Sequence, residues 1–128
     1  MRRLVLTASI IMAGFAFSVI GDAEESEGSN WLPSYRTISH LEGLIAMPRG
    51  ARSIDAYARY YTGVEEANRR LIRGIFILAR AGGRYPPGPH IVRALEMPRL
   101  LDGGCTVVSV TFDIQADRIQ TVTCNGSA

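Results

Sequence analysis

The segment Gly103–Gly126 constrains the fold more than any other part of this 128-residue sequence. It contains the only two cysteines of the chain, Cys105 and Cys124, and between them apolar and polar residues alternate. Alternation with a period of two is typical of β-strands, so we predict a C-terminal β-hairpin with strands at Thr106–Ile114 and Ile119–Cys124. Three polar residues indicate that the second strand is a half-exposed edge of a sheet: Gln120, Thr121 and Thr123.

The role of the cysteines depends on their geometry. A zinc site needs about four clustered ligands and a redox pair needs the Cys-x-x-Cys spacing, and neither pattern is present. In an ideal hairpin ladder Ser109, rather than Cys105, would face Cys124. A disulfide between Cys105 and Cys124 therefore requires a bulge, or a bend at Gly103-Gly104, to bring the sulfur atoms together. We predict this disulfide; two separate buried thiols are the alternative.

The N-terminus has the layout of a secretory signal peptide. Two arginines precede an apolar run, Leu4–Ile20, and small residues at Gly21 and Ala23 suit cleavage by a signal peptidase. We predict that residues 1–23 are a signal peptide and that the protein is periplasmic or secreted, in an oxidising compartment where two cysteines usually pair. An uncleaved leader that anchors the chain in a membrane is the alternative.

The mature chain of about 105 residues is the size of one domain. Its net charge is about +1, which gives no electrostatic reason to expect a nucleic acid as partner. Glu24–Asn30 is acidic, small and polar, so it cannot bury apolar surface. We predict a flexible tether at residues 24–34 and a single domain at residues 35–128.

One helix and two further strands are predicted before the hairpin. We predict the helix at Ser53–Thr62, because the apolar residues of this segment recur with helical spacing. Tyr35–Pro48 also contains helical spacing, but Gly43 in its middle weakens that interpretation. Leu71–Ala79 predicts an interior strand and His90–Leu95 a weaker one. With no second long helix to connect parallel strands, we expect an α+β fold: an N-terminal helix packed on one face of a three- to four-stranded antiparallel sheet that ends in the hairpin.

Signatures of catalysis are missing from the sequence. It contains no nucleophile elbow, phosphate loop, dinucleotide fingerprint or His-Glu-x-x-His motif. We therefore predict no catalytic residue, no metal and no cofactor. One alternative stays open, a small enzyme or ligand carrier with a pocket between helix and sheet lined by Tyr57, Tyr61 and Phe76.

The segment Gly82–His90 is the best candidate for a contact with a partner. Two consecutive prolines between glycines make a loop that is stiff in the middle and hinged at its ends. Arginine and tyrosine are favoured residue types at interfaces, and stiffness lowers the entropic cost of binding. The candidate contact residues are Arg84, Tyr85, Pro86 and Pro87; a plain connector between two strands is the alternative.

Three short motifs carry a resemblance to known proteins. They are Ala56–Tyr61 (AYARYY), Met97-Pro98 leading to Asp102–Cys105 (DGGC), and Cys124–Gly126 (CNG) near the C-terminus. In these motifs the chain resembles small exported α+β proteins of Gram-negative bacteria that have no assigned activity. The resemblance implies a stable exported domain and no catalytic residues. We thus expect a non-enzymatic binding domain whose partner is an unknown protein or envelope component, with membrane contact only if the leader is retained.

The intact mass of the protein after export from its own leader tests these expectations. We expect a mass that matches Glu24 onward and rises by about 2 Da on reduction, because a disulfide takes up two hydrogens. A full-length mass with two free thiols would contradict both predictions and make the leader an anchor.

Overall fold

The computed structural model describes residues 31–80, 83–100 and 102–126. The predicted signal peptide and the tether up to residue 30 lie outside the described residues. The described elements are one α-helix, five strands and two short 3₁₀ turns, with these bounds: α1 Tyr35–Leu44, 3₁₀ Ile54–Ala56, β1 Tyr57–Glu66, β2 Arg69–Leu78, β3 Gly88–Ile91, 3₁₀ Ala94–Glu96, β4 Gly104–Asp113 and β5 Arg118–Asn125.

The fold is α+β, with one N-terminal helix and a five-stranded sheet in the order β3-β1-β2-β4-β5. The strands end in the β4-β5 hairpin, as predicted, and β5 lies at an edge of the sheet. The sheet has five strands rather than the three or four expected. It is mixed rather than purely antiparallel, because β1 and β3 pair in parallel.

β1 and β3 are parallel because the connection from β2 to β3 crosses β1 before β3 pairs with the outer edge of β1. β2 is antiparallel to β1 and ends beside the start of β1, where Tyr57 pairs with Leu78. The connection that follows places β3 on the far edge of β1, where Ala58 pairs with Gly88. A third strand that runs antiparallel to the second is then parallel to the first. No helical crossover between β1 and β3 is needed, and for this reason the expectation of a purely antiparallel sheet was wrong.

The helix of the structure lies in the stretch Tyr35–Pro48, not at Ser53–Thr62. The hydroxyl of Ser34 accepts a hydrogen bond from the backbone N–H of Thr37 at 3.1 Å and so caps the N-terminus of α1. Ile38 and Leu41, three residues apart, form its buried stripe. Gly43 lies in the exposed last turn, where no other atom would approach an added Cβ within 4 Å.

The predicted helix Ser53–Thr62 is wrong because its residues are buried on both sides of a central strand. Within β1, Tyr57–Gly63 is buried except for the half-buried Tyr60. A run of this kind matches a helical spacing as readily as a period of two. The aromatic residues favour the strand, and pairing with β2 on one side and β3 on the other completes the hydrogen bonding of the backbone.

The two faces of the sheet have different neighbours. The face that we call the helix face carries the main core together with Ile38 and Leu41 of α1; its buried sheet residues are Tyr57, Tyr61, Ile72, Phe76, Val108, Val110 and Phe112. Alternate residues point to the opposite face, which we call the loop face, because Tyr85 of the β2-β3 loop contacts Tyr60 there. The larger core cluster is therefore on the helix face, while the loop face buries a smaller set of side chains: Ala58, Leu71, Ile77 and Val107.

The disulfide between Cys105 and Cys124 is present, with a Cα–Cα distance of 4.5 Å. The ladder pairs Val108, not Ser109, with Cys124, and is irregular between Gly104 and Val108. Gly104, in a left-handed conformation with φ 54°, lies at this irregularity. The bend required for the bond is therefore at the start of β4, as the sequence predicts. In the chain-entropy model a loop of this length stabilises the domain by about 3 kcal/mol.

Trp31, within the predicted tether, packs against β1. Its indole Nε1 donates a hydrogen bond to the carbonyl oxygen of Val64 at 3.3 Å, and an added Cβ at Gly63 would lie 2.5 Å from its ring. Glycine at position 63 therefore creates the space that the indole occupies.

Replacement of Gly63 by alanine should expel Trp31 from β1. We expect Gly63→Ala to lower the free energy of unfolding by about 1–3 kcal/mol, the cost of overpacking, and to shift the fluorescence of this single tryptophan towards the red. Gly43→Ala is the matched control and should stabilise the protein by up to about 1 kcal/mol, because alanine favours an exposed helical site. Urea unfolding followed by fluorescence measures both; an unchanged midpoint for Gly63→Ala would contradict the packing of Trp31.

Candidate functional site

The proline loop, residues 83–87, is held on the loop face by an aromatic cluster. Tyr60 of β1 contacts Tyr85 edge to face, with ring centroids 6.1 Å apart, and stacks on His90 of β3 at 4.8 Å. Nε2 of His90 lies 2.9 Å from the carbonyl oxygen of Pro86. Because a carbonyl oxygen only accepts hydrogen bonds, Nε2 is the protonated ring nitrogen and donates this hydrogen bond. The middle of the loop is thereby fastened to the sheet at Tyr85 and Pro86.

The loop presents most of the predicted contact residues to solvent. Arg84, Pro86 and Pro87 are exposed, whereas Tyr85 is half-buried and contacts Tyr60 of the sheet. The guanidinium of Arg84 lies 5.9 Å from the centre of the Tyr85 ring, within the range of a cation–π contact. Partial burial and the neighbouring Tyr85 raise the pKa of Tyr60, so this hydroxyl stays neutral at physiological pH.

A cavity of about 350 Å³ lies beside the loop, at the end of the sheet where β2 finishes and β4 begins. Its apolar lining includes Ile77 and Val107, which are cross-strand neighbours, together with Leu100 from the connection between β3 and β4. Its volume is at the lower end of the range for small-molecule sites. The cavity is therefore lined by parts of the chain that are distant in sequence.

Three charged side chains line the cavity: Arg80, Arg84 and Asp102. All three are exposed, and none takes part in the ion pairs found between described residues. Their net charge is +1. An apolar lining with exposed guanidinium groups is suited chemically to an anion that carries an apolar body.

Glycine at position 103 shapes the same cavity. Its φ is +132°, in a region that favours glycine, and an added Cβ would lie 2.8 Å from Cγ2 of Val107. The backbone N–H of Thr106 donates to the carbonyl oxygen of Gly103 at 3.0 Å and closes the turn into β4. Asp102 and Thr106, on either side of this turn, both line the cavity.

A separate polar network lies on the helix face. Oε1 of Glu42 accepts hydrogen bonds from Nε of Arg59 and from the hydroxyl of Tyr61, both at 2.7 Å. Nη1 of Arg59 also donates to the carbonyl oxygen of Ile54 at 3.0 Å. Burial and the hydrogen bond to Glu42 raise the pKa of Tyr61 far above its ordinary value, so it does not ionise. The network joins α1 to β1.

The pocket hypothesised between helix and sheet coincides with this core. Tyr57, Tyr61 and Phe76 have no exposed surface, and the two tyrosine rings lie 6.3 and 5.6 Å from the ring of Phe76. These three side chains pack against one another. The cavity described above lies at the end of the sheet and is lined by different residues.

Only part of the cavity lining follows from the sequence pattern. Arg84 and Tyr85 were identified from loop chemistry, whereas Arg80, Leu100 and Asp102 were not, because no local pattern relates residues of two separate connections. Within residues 31–80, 83–100 and 102–126, no group of three or more His, Cys, Asp or Glu is arranged to hold a metal ion. In the same ranges no helix is long and apolar enough to cross a membrane.

The fold and site define a small α+β domain with a disulfide-closed hairpin, a braced proline loop and a cavity beside it. No protein-family model, curated protein or solved structure matches the chain.

Removal of His90 should loosen the loop without unfolding the domain. The change His90→Ala deletes one hydrogen bond and one aromatic stack, together about 1–2 kcal/mol of local stability. Local opening should therefore rise about five- to thirtyfold. We expect trypsin to cleave after Arg80 or Arg84 correspondingly faster under native conditions, as followed by fragment masses.

The matched control is His40→Ala, since His40 is exposed on α1 and bonds to Asp117 at 2.7 Å, away from the loop. Its cleavage at Arg80 and Arg84 should equal that of the unchanged protein. Equal cleavage of the two histidine variants would show that His90 does not hold the loop.

Proposed function

We propose that the protein is an exported, non-enzymatic binding domain that contacts its partner through the proline loop. The observation that carries this proposal is the bracing of the loop by Tyr60 and His90, which leaves Arg84, Pro86 and Pro87 exposed. A loop already held in one conformation loses little entropy on binding. Arginine and tyrosine are the residue types that most often dominate binding energy.

Three observations support export and binding rather than catalysis. The leader pattern directs the chain to the periplasm or the medium, and the disulfide is consistent with an oxidising compartment. The sequence has none of the catalytic motifs considered above. The partner is a protein or an envelope component; the small net charge gives no support for nucleic acid.

A retained leader would tether the same domain to a membrane and leave the loop free to act. The intact mass distinguishes this alternative, because cleavage removes the apolar run and retention keeps it.

The contact is tested by comparative capture on protein exported from its own leader and immobilised. Arg84→Ala/Tyr85→Ala removes the two principal side chains of the loop. The matched control is Tyr35→Ala/Arg36→Ala, an exposed tyrosine–arginine pair on the first turn of α1. Envelope extracts are passed over the three proteins, and each component is quantified by mass spectrometry.

We expect a component that the unchanged protein and the control retain and that the loop variant loses by about tenfold or more, since truncation of an anchor residue costs about 2 kcal/mol or more. Equal capture by the loop variant and the control would contradict the contact. Unchanged unfolding midpoints for both variants separate loss of contact from loss of fold.

A further inference from the structure

We propose that the cavity beside the proline loop binds a small amphipathic monoanion, a molecule with an aromatic or branched apolar body and one carboxylate or sulfonate group. This inference goes beyond the proposed function and does not depend on it. The cavity shares Arg84 and Tyr85 with the loop, but its other lining comes largely from β2, β4 and the connection before β4, and a ligand there needs no partner on the loop.

The apolar part of the ligand is defined by the lining. Ile77 and Val107 are neighbours across the β2-β4 ladder, and both are buried, with exposures of 7% and 4%. Leu100, at 36% exposure, also lines the cavity and keeps apolar surface in contact with water. A ligand that covers this surface gains hydrophobic free energy at no cost to the core. An entirely polar ligand would gain none of it.

The charge of the ligand is defined by the three ionised groups. Arg80 and Arg84 offer planar guanidinium groups, which match the geometry of a carboxylate or sulfonate. Asp102 lies in the same lining and repels a second negative charge. The sum of +1 favours a monoanion over a polyanion such as a nucleotide.

The apolar surface and the charged groups that the ligand requires line the same cavity. Arg84 is oriented by its contact with the Tyr85 ring, and Tyr85 is fixed by Tyr60. Asp102 is positioned by the turn at Gly103, whose carbonyl accepts from the Thr106 hydroxyl at 2.5 Å. Arg84 therefore belongs to a braced loop and Asp102 directly precedes a hydrogen-bonded turn, and both line the cavity together with the apolar residues.

Two fluorescent dyes with the same body test the inference. 8-Anilinonaphthalene-1-sulfonate carries one sulfonate, and N-phenyl-1-naphthylamine is its uncharged counterpart. Titrated into the exported protein, the sulfonate dye should bind at one site for each chain and more tightly than the neutral dye. No saturable binding of the sulfonate dye, or equal affinity for the two, would overturn the proposal.

Four variants locate the site and the charge effect. Arg80→Gln/Arg84→Gln should weaken the sulfonate dye about tenfold or more and leave the neutral dye unchanged, because hydrogen bonds to a charged group are lost. Asp102→Asn should strengthen the sulfonate dye about two- to fivefold by removal of a like charge. Thr106→Trp should block both dyes by filling the cavity. Arg36→Gln/Arg118→Gln, at exposed sites outside the cavity, should change neither affinity.

Each contrary result overturns the inference. Equal loss in the two arginine pairs would mean that the dye responds to total charge, and binding that survives Thr106→Trp would place the dye elsewhere. Weaker sulfonate binding in Asp102→Asn would contradict the charge argument. Thermal unfolding of every variant separates loss of the site from loss of the fold. Because capture of a partner is read independently, the loop contact and the cavity can succeed or fail separately.

Discussion

The ion pair between the buried guanidinium of Arg59 and the carboxylate of Glu42 is the interaction on which the arrangement of helix and sheet depends. The Arg59 side chain is only 7% exposed and lies on the helix face of β1, where an unpaired charge would be strongly destabilising. Glu42 supplies the compensating charge from α1, and the carbonyl oxygens of Ile54 and Tyr57 accept the remaining hydrogen bonds. Breaking a buried pair of this kind costs about 3–5 kcal/mol, because one charge is left behind. The pair therefore favours one position of α1 over others that would bury the same apolar area.

The hydroxyl of Tyr57 makes two further hydrogen bonds that join separate segments of the chain. It donates to the carbonyl oxygen of Cys105 at 2.6 Å and accepts from the backbone N–H of Arg52 at 3.1 Å. The start of β4, the disulfide and the segment after α1 thus meet at one tyrosine. This leaves the opposite end of β4, and the β4-β5 turn, to be fixed by Asp113. The N–H of Ala116 and the Arg69 guanidinium lower the pKa of Asp113 and keep it ionised.

These restraints explain why the loop face can carry exposed connections. The helix face contributes the main core and the charge network, so the connections on the other side are not needed to complete it. They are ordered instead by a few contacts, such as the stack of His90 on Tyr60. Loops positioned by a rigid sheet are common carriers of binding residues. The proline loop and the cavity beside it share Arg84 and Tyr85, so a ligand in the cavity would lie next to any partner on the loop.

The hairpin and the disulfide show how much a local pattern can determine. Alternation over Thr106–Ile114 and the turn that follows were sufficient to predict β4 and β5. The glycines at 103 and 104 indicated where the ladder must bend for Cys105 to reach Cys124. The interior strand at Leu71–Ala79 was likewise recognised as β2. In each case the determining contacts are close in sequence or follow from a period of two.

The sequence by itself determined the α+β class, the hairpin, the cysteine pair and the stiffness of the proline loop, because these depend on local composition and short spacings. Only the tertiary structure decided that Tyr57–Thr62 is a strand, since β2 and β3 pair with its two edges and its faces are covered by α1 and by the β2-β3 loop, none of which its own periodicity encodes. The parallel pairing of β3 and the meeting of Arg80, Arg84 and Asp102 around one cavity were decided in the same way. They depend on how two long connections cross the end of a sheet, and no spacing within either connection encodes that crossing.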